Sequence, residues 1–196
     1  LMVLREGLTD ADPAIRTRSA GLVGQSHDVS HANLLGPLLV DHDPLVQLQA
    51  AAGLRQLGAR ELVPALIQAA QRDGTAAPVR VQIAGTLADL GEPKGETVLR
   101  EALRSQDSEV RWRAVRLLAD RGDRACRDLV LRDDSLSQER VSVLGRLARF
   151  GDLEARAALL RGMQQGGPGM QGGPMGGPGM RGHGGWGPGG PGMREI

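Results

Sequence analysis

The stretch Asp107–Asp123, DSEVRWRAVRLLADRGD, decides how the chain is read. It places two arginines around a tryptophan in a 196-residue sequence whose other aromatics are Phe150 and Trp186, with no tyrosine. In isolation it looks like a basic site. Beside the rest of the chain it is one copy of a recurring unit. DPAIR at Asp12–Arg16, DPLVQ at Asp43–Gln47 and APVR at Ala77–Arg80 share its opening, and QERV near Glu139 is a degenerate fifth copy. The apolar landmarks Ile15, Val46, Val79 and Val110 are 31, 33 and 31 residues apart. Twelve residues beyond the last three stand Gly58, Gly91 and Gly122. Gly151 holds that place in the fifth copy and His27 in the first. Self-similarity at such a period marks supersecondary units that stack.

Each landmark has a physical task. Asp43 or Asp107 can N-cap a helix by accepting a bond from a free backbone N–H. Pro13, Pro44 and Pro78 suit a first helical turn, where the missing N–H costs nothing. Leu54, Leu57, Leu87, Leu90, Leu118 and Leu147 follow at helical spacing. The terminal glycine supplies the left-handed conformation that ends a helix. Between these helices lie further apolar helical stretches, at Glu61–Gln71, Gly95–Ser105, Arg124–Arg132 and Leu153–Met163. One helical hairpin cannot bury its apolar face alone, whereas a stack of them can. The expected fold is all-α: a right-handed α-solenoid of about five helix–turn–helix repeats over residues 1–162.

The segments DPLVQLQAAAGLRQLGARELVPALIQAAQ and DSEVRWRAVRLLADRGD resemble short HEAT repeats of the phycobiliprotein-lyase type. The resemblance spans about residues 1–162. It implies a concave surface lined by the second helix of each hairpin, and it names no activity, since such repeats serve unrelated functions.

Bulk composition narrows the function classes. Few aromatics leave Leu, Ala and Val to build the core, which suits close-packed helices. Residues 1–162 hold 22 basic and 22 acidic side chains, so the repeat region is neutral. A nucleic-acid binder draws most of its affinity from phosphate neutralisation, and no nucleic-acid partner is expected. Cys126 is the only cysteine, which excludes an intramolecular disulfide and a cysteine-based zinc site. No apolar run reaches the ~20 residues that span a bilayer, and no membrane partner is expected. The opening LMVLREGL reads as the middle of a helix, so the true start is expected upstream. The compartment is left open, with the cytoplasm slightly favoured.

Counted from the landmark, the candidate binding residues fall on one stripe. Val81 and Trp112 are at plus two; Arg18, Gln49, Gln82 and Arg113 are at plus three; Arg116 is at plus six. Gly21, Ala52, Gly85 and Gly145 share the plus-six row with Arg116. The functional reading is an apolar-floored groove, rimmed by Arg and Gln and anchored by Trp112, since Trp and Arg dominate interface hot spots. The competing reading packs the stripe against the adjacent repeat. Arg16, Arg80, Arg111 and Arg140 form a plus-one row. It is either a ladder for an acidic ligand, which places Arg111 among the binding candidates, or a brace onto nearby Asp residues and helix ends. His27, His31 and His42 lie near Asp28, Asp41 and Asp43, but not on one helix, and no metal is expected. No catalytic motif is present and no cofactor is implied. The arginines beside Cys126 could lower its thiol pKa; burial would make it inert.

The leading function is a non-enzymatic scaffold holding a protein or peptide partner on the concave face. A tetrapyrrole (bilin) lyase-like or accessory binding role, and a nucleic-acid-binding repeat, are the alternatives. Oligomeric state is left open. Residues 163–196 hold 15 Gly, five Pro and five Met, with GGPGM repeated three times. Little apolar surface is available there to offset ordering entropy, so a disordered low-complexity tail is expected.

Overall fold

The computed structural model describes residues 2–132 and 137–164. Among them lie ten α-helices and no strand. They are α1 (Met2–Leu8), α2 (Pro13–Gly24), α3 (Pro44–Leu57), α4 (Val63–Gln71), α5 (Ala77–Asp89), α6 (Pro93–Ala102), α7 (Ser108–Asp120), α8 (Arg127–Arg132), α9 (Ser137–Arg149) and α10 (Leu153–Gln164). The five landmark-bearing helices α2, α3, α5, α7 and α9 pack successively on one another, and α4, α6, α8 and α10 pack against this row. The architecture is a helical solenoid, followed by the Gly/Pro-rich segment, whose residues 165–196 lie outside the described residues.

The helix ends form as their residue types require. The carboxylates of Asp12, Asp43 and Asp107 accept the N–H groups of Ala14, Leu45 and Glu109 at 2.8, 2.7 and 2.8 Å. The C-terminal motif repeats four times. The N–H groups of Ala59, Glu92, Asp123 and Asp152 reach back to the carbonyls of Leu54, Leu87, Leu118 and Leu147, closing a Schellman loop each time. The glycine before each of these donors has positive φ: 65° at Gly58, 95° at Gly91, 71° at Gly122 and 81° at Gly151. His27, which stands in the glycine's place in the first copy, also adopts positive φ, 54°. The repeat thus imposes its backbone even where the favoured residue is missing.

Three connecting segments differ from simple helices. Between α2 and α3 the chain forms two 3₁₀ segments, Val29–Leu34 and Gly36–Val40, in place of an α-helix. Pro37 explains the interruption: it donates no N–H and disfavours helical backbone in the residue before it. A 3₁₀ turn, Arg60–Leu62, likewise precedes α4, whose first turn holds Pro64. The stretch Arg124–Arg132 divides into a 3₁₀ turn capped by Asp123, Arg124–Cys126, and the short α8.

Small residues set the helix spacing. A Cβ added to Gly24 in α2 would lie 2.6 Å from the Cα of Gly53 in α3, so these backbones touch. A Cβ on Gly95 in α6 would sit 2.6 Å from the Ala88 nitrogen, against the backbone of α5. The landmarks Val46, Val79 and Val110 are buried, whereas Ile15 is 44% exposed. Full burial of a Leu or Val such as Leu54 or Val79 contributes about 1.5–3 kcal/mol. The core divides into two clusters, and α5 belongs to both: Val79, Ile83 and Leu87 to one, Val81, Ala84 and Ala88 to the other.

Two tests follow from this frame. Nothing lies within 4 Å of a Cβ placed on Gly91, so Gly91→Ala isolates the cost of positive φ. It should destabilise by about 1 kcal/mol, read as a fall in denaturation midpoint with unchanged slope. The second concerns acid. Asp41 accepts from Arg16 Nε and Nη2 at 2.9 and 2.8 Å. That bond, foremost, holds the Asp41 carboxyl below its ordinary range. A lowered native pKa gives stability that is complete above the unfolded value, about 3.9, and lost as pH falls through the native value. The Tm advantage of wild type over Asp41→Asn should therefore be present at pH 6 and shrink steadily below about pH 4.

Candidate interaction surface

α7 carries the densest part of the stripe, and its N-terminus is fixed by the Asp107 cap. Trp112 is half-buried and packs on the second core cluster. Next to it, Arg113 Nη2 pairs with Glu109, one turn back, at 3.1 Å, while its Nε is buried without an acceptor among the described residues. Arg116 lies 3.8 Å from Glu139 of α9. Both acidic partners are more than half exposed. Such pairs contribute at most about 1 kcal/mol in solvent, so an incoming carboxylate can exchange with either.

The other stripe residues are placed differently. Arg18 is exposed on α2. Gln49 on α3 is half-buried because its side chain lies over Gly21: a Cβ there would meet Gln49 Nε2 at 2.9 Å. Gly85 is filled in the same way by Leu117, at 2.8 Å. Gly21 and Gly85 are thus contact points between successive helices, whereas nothing lies within 4 Å of a Cβ placed on the plus-six Gly145. Val81 and Gln82 are buried, at 4% and 7% exposure, inside the α5–α7 packing. The members a partner can reach directly are Trp112, Arg113, Arg116, Arg18 and Gln49.

The plus-one row braces loops. Arg16 Nη1 donates to the carbonyls of Asp10 and Ala11 at 2.8 and 3.0 Å, and Arg111 Nη1 does the same to Ser105 and Gln106 at 2.7 and 2.8 Å. Gln47, in the same register, donates to the Asp41 carbonyl. Each grips the carbonyl six residues before itself, so the loops into α2, α3 and α7 are held by those helices' own first turns. Arg111 is therefore already engaged with backbone.

The sequence reading missed a charge network across the ends of the stacked helices. Arg55 of α3 lies 3.4 Å from Asp89 of α5 and 3.6 Å from Asp120 of α7. Arg121 also pairs with Asp89, and Arg146 of α9 reaches Asp120 at 3.0 Å. Its signal was present: Asp89 and Asp120 both stand ten residues after their landmarks. The network joins four successive units.

Cys126 and the histidines offer little chemistry. Cys126 is fully buried, and desolvation foremost, with the Asp123 charge second, pushes its thiol pKa up to about 12. The flanking arginines do not activate it. His31 lies 3.1 Å from Ser26 Oγ and 3.7 Å from the Asp28 carboxylate. Among the described residues no three His, Cys, Asp or Glu side chains gather as a metal site, and no helix is long and apolar enough to cross a membrane.

Comparison with known proteins agrees with this geometry. Residues 1–77 and 74–142 match the family model for HEAT repeats. This chain belongs to the HEAT-repeat family. The match does not single out the phycobiliprotein-lyase type of HEAT repeat. Similar solved structures include three engineered proteins from the Northeast Structural Genomics Consortium. The first is 21% identical with TM-score 0.40, covering 81% of this chain and 87% of its own. The second is 20% identical with TM-score 0.44, covering 83% and 93%. The third is 21% identical with TM-score 0.39, covering 81% and 50%. No curated protein matches.

The buried thiol of this HEAT-repeat protein yields a direct check. Cys126 should resist a thiol reagent such as dithiobisnitrobenzoate at pH 8 in the native state, and react stoichiometrically once guanidinium unfolds the chain. Rapid native labelling would contradict both its burial and its raised pKa.

Proposed function

We propose that this chain is a non-enzymatic interaction scaffold that holds a protein or peptide partner on the face bearing Trp112, Arg113 and Arg116. The carrying observation is the combination on α7 of a half-buried tryptophan and two arginines whose acidic partners among the described residues are well exposed. A partner carboxylate can replace Glu109 or Glu139 at small cost, and the Trp112 ring supplies the apolar area that anchors such contacts. HEAT-repeat membership supports this reading, because such repeats commonly serve as protein-interaction scaffolds. The inert, buried Cys126 supports it as well. Arg18 and Gln49 extend the same face along α2 and α3.

The test is comparative affinity capture with wild type and a Trp112→Ala, Arg113→Glu double variant of unchanged helical circular dichroism. Partners retained by wild type should be lost, or their affinity reduced at least tenfold, in the variant. Equal capture by both proteins would refute the assignment of this face.

A further inference from the structure

α5 presents a second surface on a different side from Val81 and Gly85. There α4 and α6 stand apart and leave a half-open cleft of about 280 Å³. Its walls are apolar: Ile67 from α4, Ala84 and Leu87 from α5, and Val98 from α6. Arg80, Lys94 and Glu92 stand at its rim.

Arg80 departs from the pattern set by Arg16, Gln47 and Arg111. Arg16, Gln47 and Arg111 each hold the carbonyl six residues back. Before α5 that work is done by Thr75, whose hydroxyl donates to the Ala69 carbonyl at 3.0 Å. Arg80 is left exposed, and its guanidinium bonds to no described residue. Lys94, the sole lysine of the chain, is likewise exposed and without a hydrogen bond or ion pair to any described residue. Lys94 also lies in the first turn of α6, whose N-terminus no side chain caps, which adds partial positive charge. Glu92 is the only acidic group on the rim, so the balance is positive.

The volume limits what can enter. Small-molecule sites run from about 300 to 1,000 Å³, so this cleft suits a single side chain better than a whole ligand. We propose that the cleft receives one apolar side chain of an acidic peptide segment of a partner protein, with flanking carboxylates on Arg80 and Lys94. This surface is separate from the α7 face and stands or falls independently of it.

The probe is a fluorescein-labelled pentapeptide, Glu-Glu-Leu-Glu-Glu, titrated with full-length protein by fluorescence anisotropy at low ionic strength. Saturable binding is expected, at least tenfold weaker when the leucine is glycine or the glutamates are lysines. The Arg80→Glu, Lys94→Glu double variant should lose binding at least tenfold. It alters only exposed side chains that make no bonds to described residues, so folding is not in question. Val98→Glu, on the half-exposed lip, should do the same through the apolar wall, whereas Arg161→Glu, at an exposed cation on α10, should leave binding unchanged. Absence of saturable binding up to millimolar protein, undiminished binding by the charge-reversed variant, or equal binding of the lysine peptide would each overturn the proposal.

Discussion

Each landmark helix must lie close enough to the next to hide an apolar face that its own hairpin cannot cover. Everything else in the structure serves that contact. Gly24 against Gly53 lets α2 and α3 meet backbone to backbone, and Gly95 brings α6 onto α5 in the same manner. Where the row needs less intimacy, Gly21 and Gly85 admit a side chain from the next helix, Gln49 or Leu117. Dense packing leaves no slack for an added methyl at such places. Aspartate caps then start α2, α3 and α7, and Schellman loops end α3, α5, α7 and α9. Adjacent helices can therefore meet in the same register from unit to unit.

The electrostatics follow the same geometry. Charge in the repeat region is balanced, and the structure shows where much of it goes. Arg16 and Arg111 hold their own entry loops, and Arg55, Asp89, Asp120, Arg121 and Arg146 join four successive helices at their ends. Several other arginines make no side-chain bond to a described residue. Arg113 and Arg116 pair, among the described residues, with exposed glutamates, and Arg80 and Lys94 stand together on the rim of one cleft without a described partner.

Local backbone chemistry made the solenoid legible before any coordinates. Asp at a cap, Pro in a first turn and Gly at a helix end are each dictated by one residue's own preferences, so Asp43, Pro44 and Gly58 announce α3 directly. The left-handed His27 was legible only from its place in the period. Segments governed by competing local signals were harder: Pro37 turned an apolar run into two 3₁₀ pieces. The candidate surface was legible only in part. A wheel drawn for one helix shows which residues share an arc, but not which arc the next helix covers. Gly21 and Gly85 therefore read as open space and proved to be filled, and Val81 and Gln82 read as groove and proved to be interior. The cleft beside Arg80 depends on the separation of α4 and α6, which no spacing within the sequence encodes.

The division of the core at α5 has a mechanical meaning. Val79, Ile83 and Leu87 lock this helix to the N-terminal half, while Val81, Ala84 and Ala88 lock it to the C-terminal half. A quasi-one-dimensional array transmits cooperativity only through such neighbour contacts. α5 is therefore the coupling on which all-or-none melting depends. If its two sides are unequally strong, one half of the array opens while the other persists, and amide exchange would divide into two foldons with their boundary at this helix.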